Sequence, residues 1–224
     1  MRVVSLVPSV TETLCAWQVP PVACTRFCER PELAHVGGTK DPDVARIVEL
    51  RPDLVVVDEE ENRREDADAL VRAGVTLHVT AVRSVEDVGP TLLALATAVD
   101  VAAAVGVDVD VGPPRPSGPR AFVPIWRRPW MTINADTYGS TLLAAAGIAN
   151  AFADAPDRYP TIELNDAVAR HADVVLAPTE PYPFGERHRA ELETIAPVTF
   201  VDGRDLFWWG VRTADACRRL SRLS

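Results

Sequence analysis

Short runs of β-branched residues with almost no polar interruption limit this chain to folds in which strands are buried on both faces. Val3-Val4-Ser5-Leu6-Val7 and Asp53-Leu54-Val55-Val56-Val57 are the clearest. A strand that does not alternate apolar and polar residues is covered on both sides, as in parallel sheets packed between helices. Helical patterns separate the runs. Ser9 with Glu12 three residues on reads as a capping box, opening a helix that turns Leu14 and Trp17 inward. Asp43 to Leu50 is a second helix, and Glu60 to Ala73 a third, stopped by Gly74. Val75 to Thr80 is a further strand, and a helix beginning near Ser84 runs to about Val105 with a kink expected at Pro90. Strand–helix alternation of this kind means parallel strands joined by right-handed crossovers.

The pattern breaks between Gly106 and Pro119, where four prolines and two glycines crowd the last eight residues (Gly112 to Pro119) and exclude both helix and central strand. It then restarts. Strands are predicted at Ala121 to Ile125, Asp173 to Ala177 and Val198 to Val201. Helices are predicted at Thr137 to Ala146, Gly185 to Ile195 and Thr213 to Leu223. The economical reading is an α/β chain with an N-terminal lobe over 1–83, a helix and Pro/Gly linker over 84–119, and a C-terminal lobe over 120–224. At 224 residues it is long enough to bury two such cores without disulfides or metal.

Composition narrows the function. A formal net charge of -9, with Lys40 the only lysine, argues against a nucleic-acid partner, which needs a basic stripe. No apolar run approaches the ~20 residues of a membrane span, so no membrane insertion is expected. Cys15, Cys24, Cys28 and Cys217 are too few for a disulfide framework. Met1-Arg2 leads straight into the first strand with no apolar leader segment. The expectation is a reduced, cytoplasmic protein.

Ligands of open parallel sheets bind beyond the carboxyl ends of the strands, so the segments after each strand are the candidates. Trp126, Trp130, Trp208 and Trp209 fall in two such segments, with Arg127, Glu180 and Tyr182 in the same class of position. Large flat side chains at a strand edge suit a planar or bulky apolar ligand; the alternative is that they form the lobe's core or a dimer contact. Neighbours in a strand point to opposite faces, so Trp208 and Trp209 are not expected to turn inward together. In the first half, Glu60 and Glu61 either offset a helix dipole or face Arg127, Arg128 or a ligand. Gly37-Gly38-Thr39-Lys40 is a turn with one lysine, weak grounds for an anion site. No nucleophile elbow, phosphate loop or dinucleotide fingerprint occurs, and His35, His78, His171 and His188 are scattered. No catalytic residue and no directly ligated metal are expected. Cys28, beside Phe27, is either a quiet thiol or an axial ligand to a bound chelate.

Arg2-Val3-Val4-Ser5-Leu6-Val7-Pro8-Ser9-Val10-Thr11-Glu12, Val36-Gly37-Gly38-Thr39-Lys40-Asp41-Pro42 and Glu60-Glu61-Asn62 resemble the class III substrate-binding proteins of ABC importers. The likeness continues through Trp126-Arg127-Arg128-Pro129-Trp130-Met131, Glu180-Pro181-Tyr182-Pro183-Phe184 and Asp202-Gly203-Arg204. These helical backbone metal receptors include vitamin B12 and iron-siderophore binders. The resemblance implies two three-layer α/β lobes with mainly parallel sheets, joined by a bridging helix that is shortened here. It also implies a ligand cleft between the lobes and an ABC transporter as partner. By position, Phe27 falls where the B12 binders carry a corrinoid-contacting aromatic, whereas Thr39 and Asp58 fall where they carry tryptophans. The expected ligand residues are Phe27, Gly38, Thr39, Glu60 and Glu61 in the first lobe. In the second they are Trp126, Arg127, Trp130, Glu180, Tyr182, Trp208 and Trp209. The function implied is non-catalytic binding of a metal chelate or corrinoid-like small molecule, with no cofactor required. Two alternatives stand: an enzyme or cofactor-handling protein with Glu60, Glu61, Asp202 or Cys28 reactive, and a regulatory module meeting a protein partner.

Overall fold

The computed structural model describes residues 1–102, 111 and 118–224. The chain forms two compact units. The first comprises Met1–Val82, the chain from Glu86 into the undescribed stretch, and Trp209–Val211; the second holds most of the remainder, including Arg83–Val85. The units are therefore discontinuous in sequence, unlike the simple division at 83 and 119. The Pro/Gly linker and the 103–105 end of the predicted helix lie outside the described residues, Gly118 and Pro119 apart.

In the first unit, β1 (Val3–Ser5), α1 (Pro8–Ala16), β2 (Ala23–Cys24), β3 (Ala34–His35), α2 (Val44–Glu49), β4 (Leu54–Asp58), α3 (Arg64–Arg72), β5 (Leu77–Thr80) and α4 (Val88–Ala98) follow one another. The strands form one sheet in the order β3-β2-β1-β4-β5, parallel at every pairing. All five residues of β4 are buried, as a central strand covered on both faces requires. Val4, Leu6, Ile47, Val55, Val57 and Leu70 make the core of this unit.

Local starts and stops differ from the sequence reading for identifiable reasons. α1 has no capping box: its N-cap is Val7, without a side-chain cap, and Pro8 occupies the first turn. Proline there has its φ preset and lacks only an N–H that would be unpaired anyway. Ser9 is buried within the helix, where its carbonyl accepts from the Thr13 hydroxyl at 3.0 Å. α3 begins at Arg64 rather than Glu60, because the Asp58 carboxylate draws the Glu60 and Glu61 N–H groups into a turn. α4 is not broken at Pro90, which sits in its first turn, where backbone N–H groups have no intrahelical acceptor.

The second unit contains β6 (Arg120–Phe122), β7 (Trp126–Arg127), β8 (Trp130–Met131), α5 (Tyr138–Ala145), β9 (Ala149–Asn150), β10 (Thr161–Ile162), α6 (Leu164–Ala169), β11 (Val174–Pro178), α7 (Arg189–Leu192), β12 (Val198–Val201), α8 (Gly203–Phe207) and α9 (Thr213–Leu220). A parallel sheet, β12-β11-β6-β9, carries the core of Phe122, Phe152, Val175, Ala177, Phe184 and Leu192. Separate from it, β10-β8-β7 form a small antiparallel sheet. The predicted helix over 185–195 resolves into a 3-10 turn, Glu186–His188, followed by the single turn of α7. Both parallel sheets bear out the expected α/β class.

Leu70 and Phe122 are each fully buried in the core of their own unit. Leu70→Ala should cost about 2–5 kcal/mol and Phe122→Ala about 3–5 kcal/mol, read from the midpoint of urea unfolding. A loss below ~1 kcal/mol at either position would contradict the packing described.

Candidate functional site

Most of the predicted residues fall on two loop edges, one in each unit. In the second unit the edge is built from the antiparallel hairpin. Arg127 lies opposite Trp130, and Trp130 opposite Ile162, so these three side chains share one face. Phe184 stacks on Trp130 with ring centroids 5.9 Å apart and planes 9° from parallel. Tyr182 leans on Phe184 at 4.7 Å and meets Trp126 edge-on at 5.5 Å. Trp126 is 43% exposed, a large aromatic surface left open above a half-buried ring stack. Pairs of this geometry add about 0.5–1.5 kcal/mol each beyond area burial, which makes the stack a firm support.

The charges are organised around the same hairpin. Arg127 binds Glu191 through both Nε and Nη2 at 2.9 Å, and its guanidinium lies 6.0 Å from the centre of the Trp130 ring. The Arg127 side chain is thus held within its own unit, instead of being left for Glu60 or Glu61. A cavity of about 300 Å³, bounded by Arg127, Arg128, Trp130, Ile162, Glu163 and Glu191, opens beside the hairpin. Its size is at the small end for a ligand pocket.

The other predicted residues of this unit are placed differently. Glu180 lies against Gly203, where an added Cβ would come within 2.6 Å of the Glu180 backbone nitrogen; only glycine permits that approach. Asp202 caps α8, accepting from the Arg204 N–H at 3.0 Å. The Arg204 guanidinium beside it holds its carboxyl below the usual range. Trp208 is half-buried under the Arg212 guanidinium, 5.4 Å from its ring centre. Trp209 belongs to the first unit and is only 5% exposed, a core residue there. Phe184, His188 and Glu191 complete the hairpin's surroundings, and sequence reasoning missed all three as site residues.

In the first unit, Phe27 is 51% exposed, with the Arg26 guanidinium 4.9 Å from its ring centre. Arg26 pairs with Asp41 at 3.0 Å, and Gly38 lies beneath that pair, where a Cβ would sit 2.8 Å from Arg26 Nη2. Asn62 ties the loops of this edge together. Its Nδ2 donates to the Thr39 carbonyl at 2.9 Å and to the Leu6 carbonyl at 3.2 Å, while its Oδ1 accepts from the Asp58 N–H at 2.8 Å. Burial pushes the Asp58 carboxyl up, against the pull of the Thr80 hydroxyl bonded to it at 2.8 Å. Lys40 donates to the Glu60 carbonyl, so its ammonium is engaged by backbone. Cys28 is 3% exposed, its sulfur 3.2 Å from the hydroxyls of both Thr11 and Thr25. Hydrogen bonding from Cys24, then from these threonines, pulls the Cys28 thiol down, and the Cys24 thiol is pushed up in turn. Among the described residues no group of three or more His, Cys, Asp or Glu side chains could hold a metal ion.

Residues 3–105 match the family described as periplasmic binding protein. The vitamin B12-binding protein of Salmonella choleraesuis (strain SC-B67) is 24% identical over 193 residues, covering 78% of this chain and 71% of that protein. Its counterpart from Pectobacterium carotovorum subsp. carotovorum (strain PC1) is 23% identical over 198 residues, 80% of this chain and 72% of its own. Among solved structures, the periplasmic vitamin B12 binding protein of Vibrio cholerae superposes with a TM-score of 0.79 at 20% identity, covering 99% of this chain and 95% of that one. A periplasmic heme binding protein from Pseudomonas aeruginosa gives 0.81 at 19% identity, covering 99% and 91%. These matches support the resemblance to class III substrate-binding proteins, the family model over residues 3–105 and the solved structures over the fold of the chain. The two solved structures are of proteins described as periplasmic and give the cytoplasmic expectation no support. No helix among the described residues is long and apolar enough to cross a membrane.

The two kinds of tryptophan separate experimentally. Trp209→Ala should cost about 3–5 kcal/mol of stability, as buried aromatics do. Trp126→Ala should cost under ~1 kcal/mol, as exposed positions do. Equal losses in thermal or urea unfolding would remove the distinction between core and face.

Proposed function

We propose that this chain captures a planar small molecule with an apolar body, a corrinoid or other metal chelate, on the aromatic face of the second unit. The observation that carries this reading is the half-open Trp126 ring seated edge-on against Tyr182, with the Phe184–Trp130 stack behind it. Such a face offers stacking area that needs little reordering on binding, and preformed aromatic surface is what bulky flat ligands require. The relatives' ligands, vitamin B12 and heme, are of this kind. Phe27 is a second exposed aromatic, on the loop edge of the first unit. Delivery to an ABC importer is part of the proposal, on the strength of the resemblance alone.

The enzyme alternative has less to support it. Asp202 is a helix cap, Cys28 is buried, and Glu60 and Glu61 form a turn closed on Asp58. A reducing compartment is retained as a proposal on the four free cysteines, and thiol titration of the denatured, freshly isolated protein tests it. Four reactive thiols are expected; fewer would overturn it.

Tryptophan-fluorescence titration with cyanocobalamin, haemin and a ferric siderophore tests the binding function. Saturable quenching by at least one of them is expected, weakened several-fold in Trp126→Ala. Absence of saturable quenching by all three, with the fold intact, would overturn the proposal.

A further inference from the structure

The aromatic face rests on a histidine. His188 is 4% exposed and packs edge-on against Tyr182 and Phe184, with ring centroids 5.5 Å and 5.4 Å away. The Gly185 N–H donates to its Nδ1 at 3.2 Å, and Arg187 Nε donates to its Nε2 at 3.2 Å, with the Tyr182 hydroxyl 3.5 Å from the same nitrogen. The seat thus presents an N–H donor to each ring nitrogen. A neutral imidazole has one acceptor nitrogen and accepts one of these two; an imidazolium has no acceptor and opposes both. Charge works in the same direction. Arg187 on its own segment and Arg127 on the hairpin disfavour a second positive charge, and Glu191 on α7, which favours it, is engaged by Arg127. Glu186 is likewise engaged, by Arg189 at 2.7 Å.

We propose that His188 is a positioning residue for the binding face and that its protonation loosens the face, so that ligand is held at neutral pH and released in mild acid. This rests on the binding function proposed above. The coupling is steric. Charging the ring in its seat sets both of its N–H groups against donors, and Tyr182 and Phe184, which carry Trp126 and Trp130, lose support when it shifts. Burial first, then Arg187 and Arg127, hold the His188 pKa below the ordinary histidine value. The unfolded chain therefore takes up this proton more readily than the folded one. Stability contributed by the neutral ring is present above the ordinary histidine pKa and falls as the pH drops below it.

Two measurements on the full chain test this. The first needs no ligand: the imidazole resonances of wild-type protein are followed by NMR from pH 7.5 to 4.5, alongside tryptophan emission. His188 should titrate below the ordinary histidine value, its midpoint coinciding with a reversible emission change that His188→Asn lacks. Titration of His188 with no accompanying tryptophan change would overturn the proposal, and so would titration at an ordinary value. Should His188→Asn fail to fold, Tyr182→Phe, which keeps the ring and removes the hydroxyl, should shift the wild-type midpoint. The second measurement compares the affinities of cyanocobalamin, haemin and the ferric siderophore at pH 7.5 and 5.5. About tenfold weakening is expected for whichever is bound, abolished in His188→Asn. If none of the three binds at either pH, the binding function fails, while the ligand-free titration still decides whether His188 governs the face.

Discussion

Parallel pairing of β1 with β4 puts the ends of both strands on one side of the sheet, and the rest of the first unit's loop edge follows from it. Val3, Val4 and Ser5 stand opposite Leu54, Val55 and Val56, and the Leu6 N–H extends the ladder to Val56 at 2.9 Å. The loop leaving β1 and the turn leaving β4 therefore emerge side by side. That proximity lets one amide, Asn62, reach the Leu6 carbonyl, the Thr39 carbonyl and the Asp58 N–H together. A buried amide bonded at both ends makes those loops a single rigid edge, because breaking any one bond strands a polar group away from water. Asp58 has the same logic: its two carboxylate oxygens close the turn and bind Thr80 on the neighbouring strand.

The second unit builds its edge from rings instead. Trp126, Tyr182, Phe184, Trp130 and His188 support one another through edge-on and stacked contacts. Rings have few rotatable bonds, so such a network resists rearrangement without a dense set of hydrogen bonds. A strong polar anchor beside it is the two-pronged Arg127–Glu191 pair, which fixes the hairpin relative to α7. One edge is thus stiffened by a polar clamp and the other by packing.

Much of the fold was legible because long, uninterrupted apolar strands leave a strong signal. The strands around Val55, Val175 and Val198 were placed from residue type alone. What escaped was short. Two-residue strands such as Ala23–Cys24, Trp126–Arg127 and Thr161–Ile162 fall below the length at which alternation can be read. Helix starts were misplaced where a side chain outcompeted the helix, as Asp58 does for the N–H groups of Glu60 and Glu61. For the site, clustering of tryptophans after strands pointed to Trp126 and Trp130, and the opposite facing of Trp208 and Trp209 agrees with their unequal burial. His188 left no trace in the sequence, since its role depends on Gly185, Arg187 and Tyr182 converging in space.

The hairpin of β7 and β8 pairs with β10 and with neither parallel sheet. Its residues can therefore drift without disturbing the ladders that hold β6, β11 and β12 together. Under the proposed function, selectivity carried by such an appendage is modular: exchanging a handful of hairpin residues would retune what is recognised while the scaffold beneath keeps its register. Divergence among proteins sharing this fold has an inexpensive route here, one in which new preferences arise by editing an ornament, leaving the frame intact.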